Sequence, residues 1–170
     1  TSDGLLTLNL PSHWSPRTDL HEKATLQTGN PFREEYLIVL PDLKTEFAGT
    51  LQEHAQLTSD GILSNLQGGH RSAARRLQLN GLNAVQYELT GTVDRNKIAY
   101  LHTAIETPSA YQQIIAWTLP KRKQKAFEVF AGVLNSATAE AGNSGKPAAV
   151  KAYDWNSQNQ VAQRVVKEVA

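Results

Sequence analysis

Seven cations gathered in two short stretches are the residues whose types and spacing speak most directly of chemistry. Lys121, Arg122, Lys123 and Lys125 follow on Pro120, a residue suited to the first position of a helix because its φ is already fixed there. A helix N-terminus favours anions and disfavours each exposed cation by about 0.3–1 kcal/mol, so this cluster works against local stability. Such a placement fits recognition of an anion, either an acidic protein surface or anionic lipid headgroups. Arg71, Arg75 and Arg76 form a second cluster, on a stretch that reads as one strand from Arg71 to Leu79. Lys and Arg also protect sheet edges from pairing with other chains, and a solvated protective edge is the competing role for both clusters. A nucleic-acid partner is disfavoured, since the net charge is +1 and no exposed-looking aromatic pairs accompany the cations.

Other chemistries find less support. His13, His21, His54, His70 and His102 show neither an i,i+4 pair on a helix nor an H-x-H pair on a strand, so spacing assigns no metal site. A site would need spatial convergence of His13 or His21 with Asp19 or Glu22. No serine sits in a G-x-S-x-G elbow. Glu34 and Glu35, adjacent on a strand, point to opposite faces and cannot share a substrate. Gly68-Gly69 lacks the Lys-Ser/Thr partner of a phosphate loop and reads as a helix stop. Cysteine is absent, which excludes disulfides, thiolate metal sites and a Cys nucleophile. The expectation is a protein that binds without catalysis and without a cofactor.

The elements that must position these residues are legible from periodicity. Leu6, Leu8 and Leu10 alternate with Thr7 and Asn9, the period-two pattern of a half-buried strand over residues 4–10. Trp14, among turn formers, is expected to fold back as a lid on the sheet. A short strand over 22–28 ends at Gly29-Asn30-Pro31. Residues 34–40 are apolar on both faces, as in a strand at the middle of a sheet covered by helices, and Pro41-Asp42 ends the run. Thr50 and Glu53 have the spacing of a capping box, so a helix is predicted from Leu51 to Leu66, with Leu51, Ala55, Ile62 and Leu66 buried. Asn80-Gly81 tolerates positive φ at both central positions of a hairpin turn between strands 71–79 and 82–90. Asp94-Arg95-Asn96 and Thr107-Pro108-Ser109 turn the chain into strands 97–106 and 110–118. In the last of these Ile115 and Trp117 share one face, and Ile114 and Ala116 the other. Phe127, Phe130, Ala131 and Leu134 mark the apolar face of the helix that opens at Pro120.

The 170 residues, 40% hydrophobic and 19% charged, suit one domain with an appendage. It spans residues 1–137. Ala, Gly, Asn, Ser and Pro then dominate a linker over 138–152, followed by an amphipathic helix over 153–170 carrying Trp155, Val161, Val165, Val166 and Val169. That helix would pack on its own sheet, swap onto a neighbouring molecule or meet a partner. No apolar run approaches the ~18–20 residues of a membrane-spanning helix. Methionine is absent, so Thr1 is expected to be exposed by processing, with removal of an export signal or loss of a lipid-anchoring Cys just upstream as the leading account and a trimmed cytosolic domain as the other.

The run "LNLPSHW", the strand "EEYLIVLPD", the helix "TLQEHAQLTSDGILSNL", the Asn80-Gly81 hairpin and "AYQQIIAWTLPKRKQKAFEVFAGVLNS" together resemble the PsbP-like superfamily over about residues 4–137. That group holds the photosystem II extrinsic protein, a Ran GTPase-releasing factor and bacterial periplasmic lipoproteins of the DcrB kind, the last being closest in character. The resemblance implies an α+β fold, with a central antiparallel sheet of about six or seven strands flanked by helices in an α/β/α sandwich. It also implies a binding or scaffold role in the bacterial cell envelope, with a cytosolic adaptor or a small-ligand carrier as alternatives. These motifs are packing signatures and specify fold far better than function.

Overall fold

The computed structural model describes residues 1–139. In chain order the elements are β1 (Leu6–Thr7), β2 (Ser15–Pro16), β3 (Leu26–Asn30), β4 (Glu35–Leu43), α1 (Leu51–Leu63), β5 (Gln67–Arg71), β6 (Arg75–Leu79), β7 (Leu82–Val93), β8 (Asn96–Glu106), β9 (Ala110–Thr118), α2 (Lys123–Asn135) and β10 (Thr138–Ala139). An eight-stranded sheet has the order β2-β3-β4-β9-β8-β7-β5, and β6 also pairs with β7. Every pairing in it is antiparallel. The architecture is the expected α+β one, with a larger sheet than the six or seven strands anticipated.

Two apolar layers explain why β4 and β9 carry bulky residues on both faces. Tyr36, Ile38, Leu40, Ile115 and Trp117 pack with Ala55 and Ile62 of α1 in one core. Leu37, Val39, Ile114 and Ala116 pack with Ala126, Phe130, Val133 and Leu134 of α2 in the other. A strand buried on both sides has no polar face to offer, so period two is lost from its hydropathy while it persists in which layer each side chain enters. Trp14 closes the second layer as anticipated, its ring 5.9 Å from that of Phe130.

The capping box forms as spaced: Thr50 Oγ1 accepts from the Glu53 amide and Glu53 returns a carboxylate to the Thr50 amide. Both hairpin turns use left-handed residues, Asn80 and Gly81 at φ 52° and 84°, and Asp94 and Arg95 at 45° and 72°. Gly91 is required for a different reason. A Cβ there would lie 2.6 Å from the Leu66 Cβ, because the chain leaving α1 crosses β7 at that point.

Several boundaries differ from the sequence reading. The N-terminal strand shrinks to Leu6–Thr7 and pairs with Thr138–Ala139 outside the main sheet, which leaves Leu10 exposed. The second strand starts later and runs through Gly29 and Asn30. Pro41 and Asp42 do not stop β4; they continue opposite Gln112 and Tyr111. α1 ends at Leu63, and Gly68-Gly69 belong to β5 rather than to a helix stop. The strand expected over 71–79 is two strands, both on β7, with Ser72 bonding to Glu88 where they part. Pro120–Arg122 form a 3-10 turn before α2. The buried face of α2 is accordingly Ala126, Phe130, Val133 and Leu134, while Ala131 is exposed. Thr138 and Ala139 were placed at the start of the linker and are paired; the rest of the linker and the helix over 153–170 lie outside the described residues.

Candidate functional site

The four cations after Pro120 stand at the end of β9, a central strand lying between β4 and β8. Chain direction places the turn between β3 and β4 beside them. That turn is built by Asn30, whose Oδ1 accepts from the Phe32 and Arg33 amides at 2.9 and 3.3 Å, and by Glu34, which takes a left-handed φ of 56°. Glu34 Oε2 then lies 3.0 Å from Arg122 Nε and 4.0 Å from Lys121 Nζ. Lys123 reaches Glu88 at 3.2 Å and lies over the Phe127 ring. Between the turn and α2 opens a cleft of about 550 Å³ lined by Arg33, Glu35, Lys121, Arg122, Gln124, Lys125 and Ala126.

Charge in this cleft is unbalanced. Arg33 and Lys125 form no ion pair among the described residues. Glu35 is buried and already engaged: its Oε2 accepts from Trp14 Nε1 at 2.7 Å and lies 3.1 Å from His13 Nε2. This carboxylate therefore anchors the "PSHW" segment instead of neutralising the cleft. The arrangement can hold an anion by charge and by multiple donors; it offers no nucleophile with an adjacent base.

The second basic cluster is not part of it. Arg71 pairs with Leu89 and Arg76 with Val85, residues of the α1 layer. Arg71 is consumed there: its Nη1 bonds Asp60 and the Ser59 Oγ, and its guanidinium lies 4.9 Å from the Tyr87 ring centre. Arg76 lines a groove of about 990 Å³ with Gln52, Leu77, Val85, Glu106 and Tyr111, at the N-terminus of α1. Arg75 stands opposite Gln86, on the α2 side. Arg75 and Arg76 both sit on β6, which pairs only with β7 among the described residues, so edge protection describes these two well. It does not describe the four on and before α2, which follow the central strand β9 and sit on no edge strand.

A buried polar row escaped the sequence reading. His54 and His102 are fully buried between α1 and the sheet. His54 Nε2 lies 2.7 Å from Asp42 Oδ2. His102 Nε2 lies 2.9 Å from Thr58 Oγ1 and 3.2 Å from the Gln113 amide. Burial, aided by the nearby His54 and Arg71 side chains, pushes the His102 pKa down to about 3, so it stays neutral near pH 7. No group of three or more His, Asp or Glu able to hold a metal occurs among the described residues. Phe32 was also missed. It is 92% exposed at the tip of the β3–β4 turn, and its signal in sequence was a bulky aromatic directly after the Gly29-Asn30-Pro31 breaker.

This sandwich of one antiparallel sheet between two helices is the PsbP-like fold, and solved structures bear the likeness out. One is LpqN of Mycobacterium tuberculosis, described as involved in cell envelope biogenesis, with a TM-score of 0.59 and 14% identity over 78% of this chain and 82% of that one. Another is the cyanobacterial PsbP of Synechocystis sp. PCC 6803, at 0.55 and 14% over 80% and 93%. A Pseudomonas aeruginosa protein of unknown function follows at 0.56 and 11% over 82% and 86%. Identities this low carry the fold alone. No family model matches the sequence and no curated protein is significantly similar to it.

Proposed function

We propose that this chain is a non-enzymatic binding module of the bacterial cell envelope, and that it engages an anionic partner through the cleft at the start of α2. One observation carries the reading. Cations occupy the end of a helix where they are electrostatically disfavoured, on no edge strand, and Arg33 and Lys125 have no acidic partner among the described residues to offset them. The envelope assignment draws support from LpqN, whose fold this chain shares. The finer assignment, the soluble part of a lipoprotein, is tested by the reading frame upstream of Thr1: a signal peptide ending in Cys supports it, and its absence counts against it.

Binding to a poly-glutamate peptide across a salt series tests the site. The wild type should bind with an affinity that falls as salt rises. Replacing Lys121, Arg122, Lys123 and Lys125 together with Ser should weaken binding and flatten that dependence. Equal binding by the two proteins would remove the reading. The groove beside Arg76 favours a small-ligand carrier as a second reading. A thermal-shift screen of metabolites addresses it, since a ligand at 100 times its Kd stabilises by about 2.7 kcal/mol.

A further inference from the structure

We propose that the β3–β4 turn and the cationic cleft form one membrane-docking surface, with Phe32 entering the interfacial region of a bilayer while Arg33, Lys121, Arg122 and Lys125 take up anionic lipid headgroups. This rests on the anionic-partner reading above and names the partner's class.

Phe32 is the starting point. A single exposed hydrophobic residue is ordinary on a protein surface, but this one is 92% exposed, whereas Leu10, the other large hydrophobic exposed among the described residues, is 37% exposed. Its projection is built in. Asn30 Oδ1 bonds the Phe32 and Arg33 amides, and the Glu34 amide donates to the Pro31 carbonyl at 3.2 Å. The Glu34–Arg122 pair then ties the turn to the segment entering α2. The ring is thus displayed on a braced tip and cannot be taken as a loose end.

Its neighbours supply the second half. Arg33, Lys121, Arg122 and Lys125 line the cleft at the base of this turn. The acids nearby do not cancel them: Glu34 is shared by Arg122 and Lys121, and Glu35 is buried against Trp14 and His13. A projecting aromatic on a turn whose base is lined by cations is the composition that binds at an anionic membrane surface, where apolar insertion and headgroup attraction add. An acidic protein fits less well. A stable protein interface buries about 800 Å² per partner around a packed apolar centre, and a lone convex Phe provides no such centre, whereas the bilayer interface needs no complementary shape.

Co-sedimentation of the chain with vesicles tests this, using phosphatidylglycerol–phosphatidylcholine mixtures and phosphatidylcholine alone, with the poly-glutamate titration run alongside. The wild type should bind the anionic vesicles, release them as salt rises and ignore pure phosphatidylcholine. Phe32→Ser should lower vesicle affinity about tenfold, leave poly-glutamate binding and the melting temperature unchanged, and be rescued by Phe32→Trp. Lys125→Ser alone should lower vesicle affinity about fivefold. Absence of wild-type binding to anionic vesicles, or a Phe32→Ser protein that binds them like the wild type, overturns the inference. Poly-glutamate binding that still depends on the four cations would then leave the anionic-partner reading standing, with an acidic protein as the partner. Indifference of both ligands to the fourfold Ser variant would overturn both.

Discussion

Against the sheet, α1 is held by directed side-chain bonds and α2 by shape. On the first side Gln52 donates to the Tyr87 hydroxyl, Thr58 meets His102, His54 meets Asp42 across the edge of the layer, and Arg71 reaches from β5 to Asp60. On the second, α2 contributes Ala126, Phe130, Val133 and Leu134 to an apolar core, joined by the exposed Lys123–Glu88 pair. Directed bonds fix α1 in register and make its layer sensitive to protonation. Apolar packing holds α2 through the burial of Ala126, Phe130, Val133 and Leu134, and leaves Lys125, in its first turn, outside both the core and the ion pairs of the described residues. The end of a helix that is anchored by its far turns can carry charges that oppose its own dipole, and there the cationic cleft is found.

The largest effect should come from breaking the apolar side. Phe130 is fully buried and its ring lies 5.9 and 5.8 Å from those of Trp14 and Phe127. Phe130→Ala should cost about 3–5 kcal/mol in denaturant unfolding at neutral pH. None of the α2 residues in this core titrates, so the variant's stability should vary with pH in parallel with the wild type. Curves that diverge in acid would show that Phe130 is coupled to a titrating group, either the Glu35–His13 pair behind Trp14 or the α1 layer.

The polar side should answer to pH. His102 takes its proton near 6.5 in the unfolded chain but only at about 3 in the folded one. Between those values the unfolded state binds more protons, so its contribution is complete above pH 6.5 and is lost as pH falls toward 3. His102→Gln, which cannot titrate, should make that acid limb shallower, even if stability at pH 7 drops through imperfect hydrogen bonding to Thr58. Unfolding free energies measured across this range, with an unaltered slope in the variant, would refute the assignment.

The smallest effect sharpens the contrast at the first turn of α2. Lys125→Glu replaces a dipole-opposing cation by a favourable anion and should raise stability by about 0.3–1 kcal/mol, while poly-glutamate binding falls. A variant that loses both stability and binding would mean that Lys125 serves the fold.

Much of this fold was legible because its signals are local. The Asn80-Gly81 and Asp94-Arg95 turns, the Thr50–Glu53 capping box and the two-faced apolar runs of β4 and β9 are each decided by residues within a few positions of one another. The break between β5 and β6 was not legible, since Ser72, Ala73 and Ala74 include no Gly, Pro, Asn or Asp and the strands part where β7 offers each a different register. The basic clusters are visible as composition, yet the sequence suggests one strand where there are two, and the change of register between them puts Arg71 and Arg76 on the α1 face and Arg75 on the other. Arg33 and Glu34 were not joined to Lys121 and Arg122 because nothing near either segment announces the other.

By itself the sequence determined the element types, the tight turns and the presence of a helix whose first turn is electrostatically wrong for stability, because propensity, capping and dipole effects act over one or two turns of chain. The tertiary structure alone decided which cations stand together, that Glu35 is spent on Trp14, and that Phe32 projects beside the cleft. Those facts depend on β3, β4 and β9 lying side by side, a pairing between distant segments that burial of both sheet faces selects.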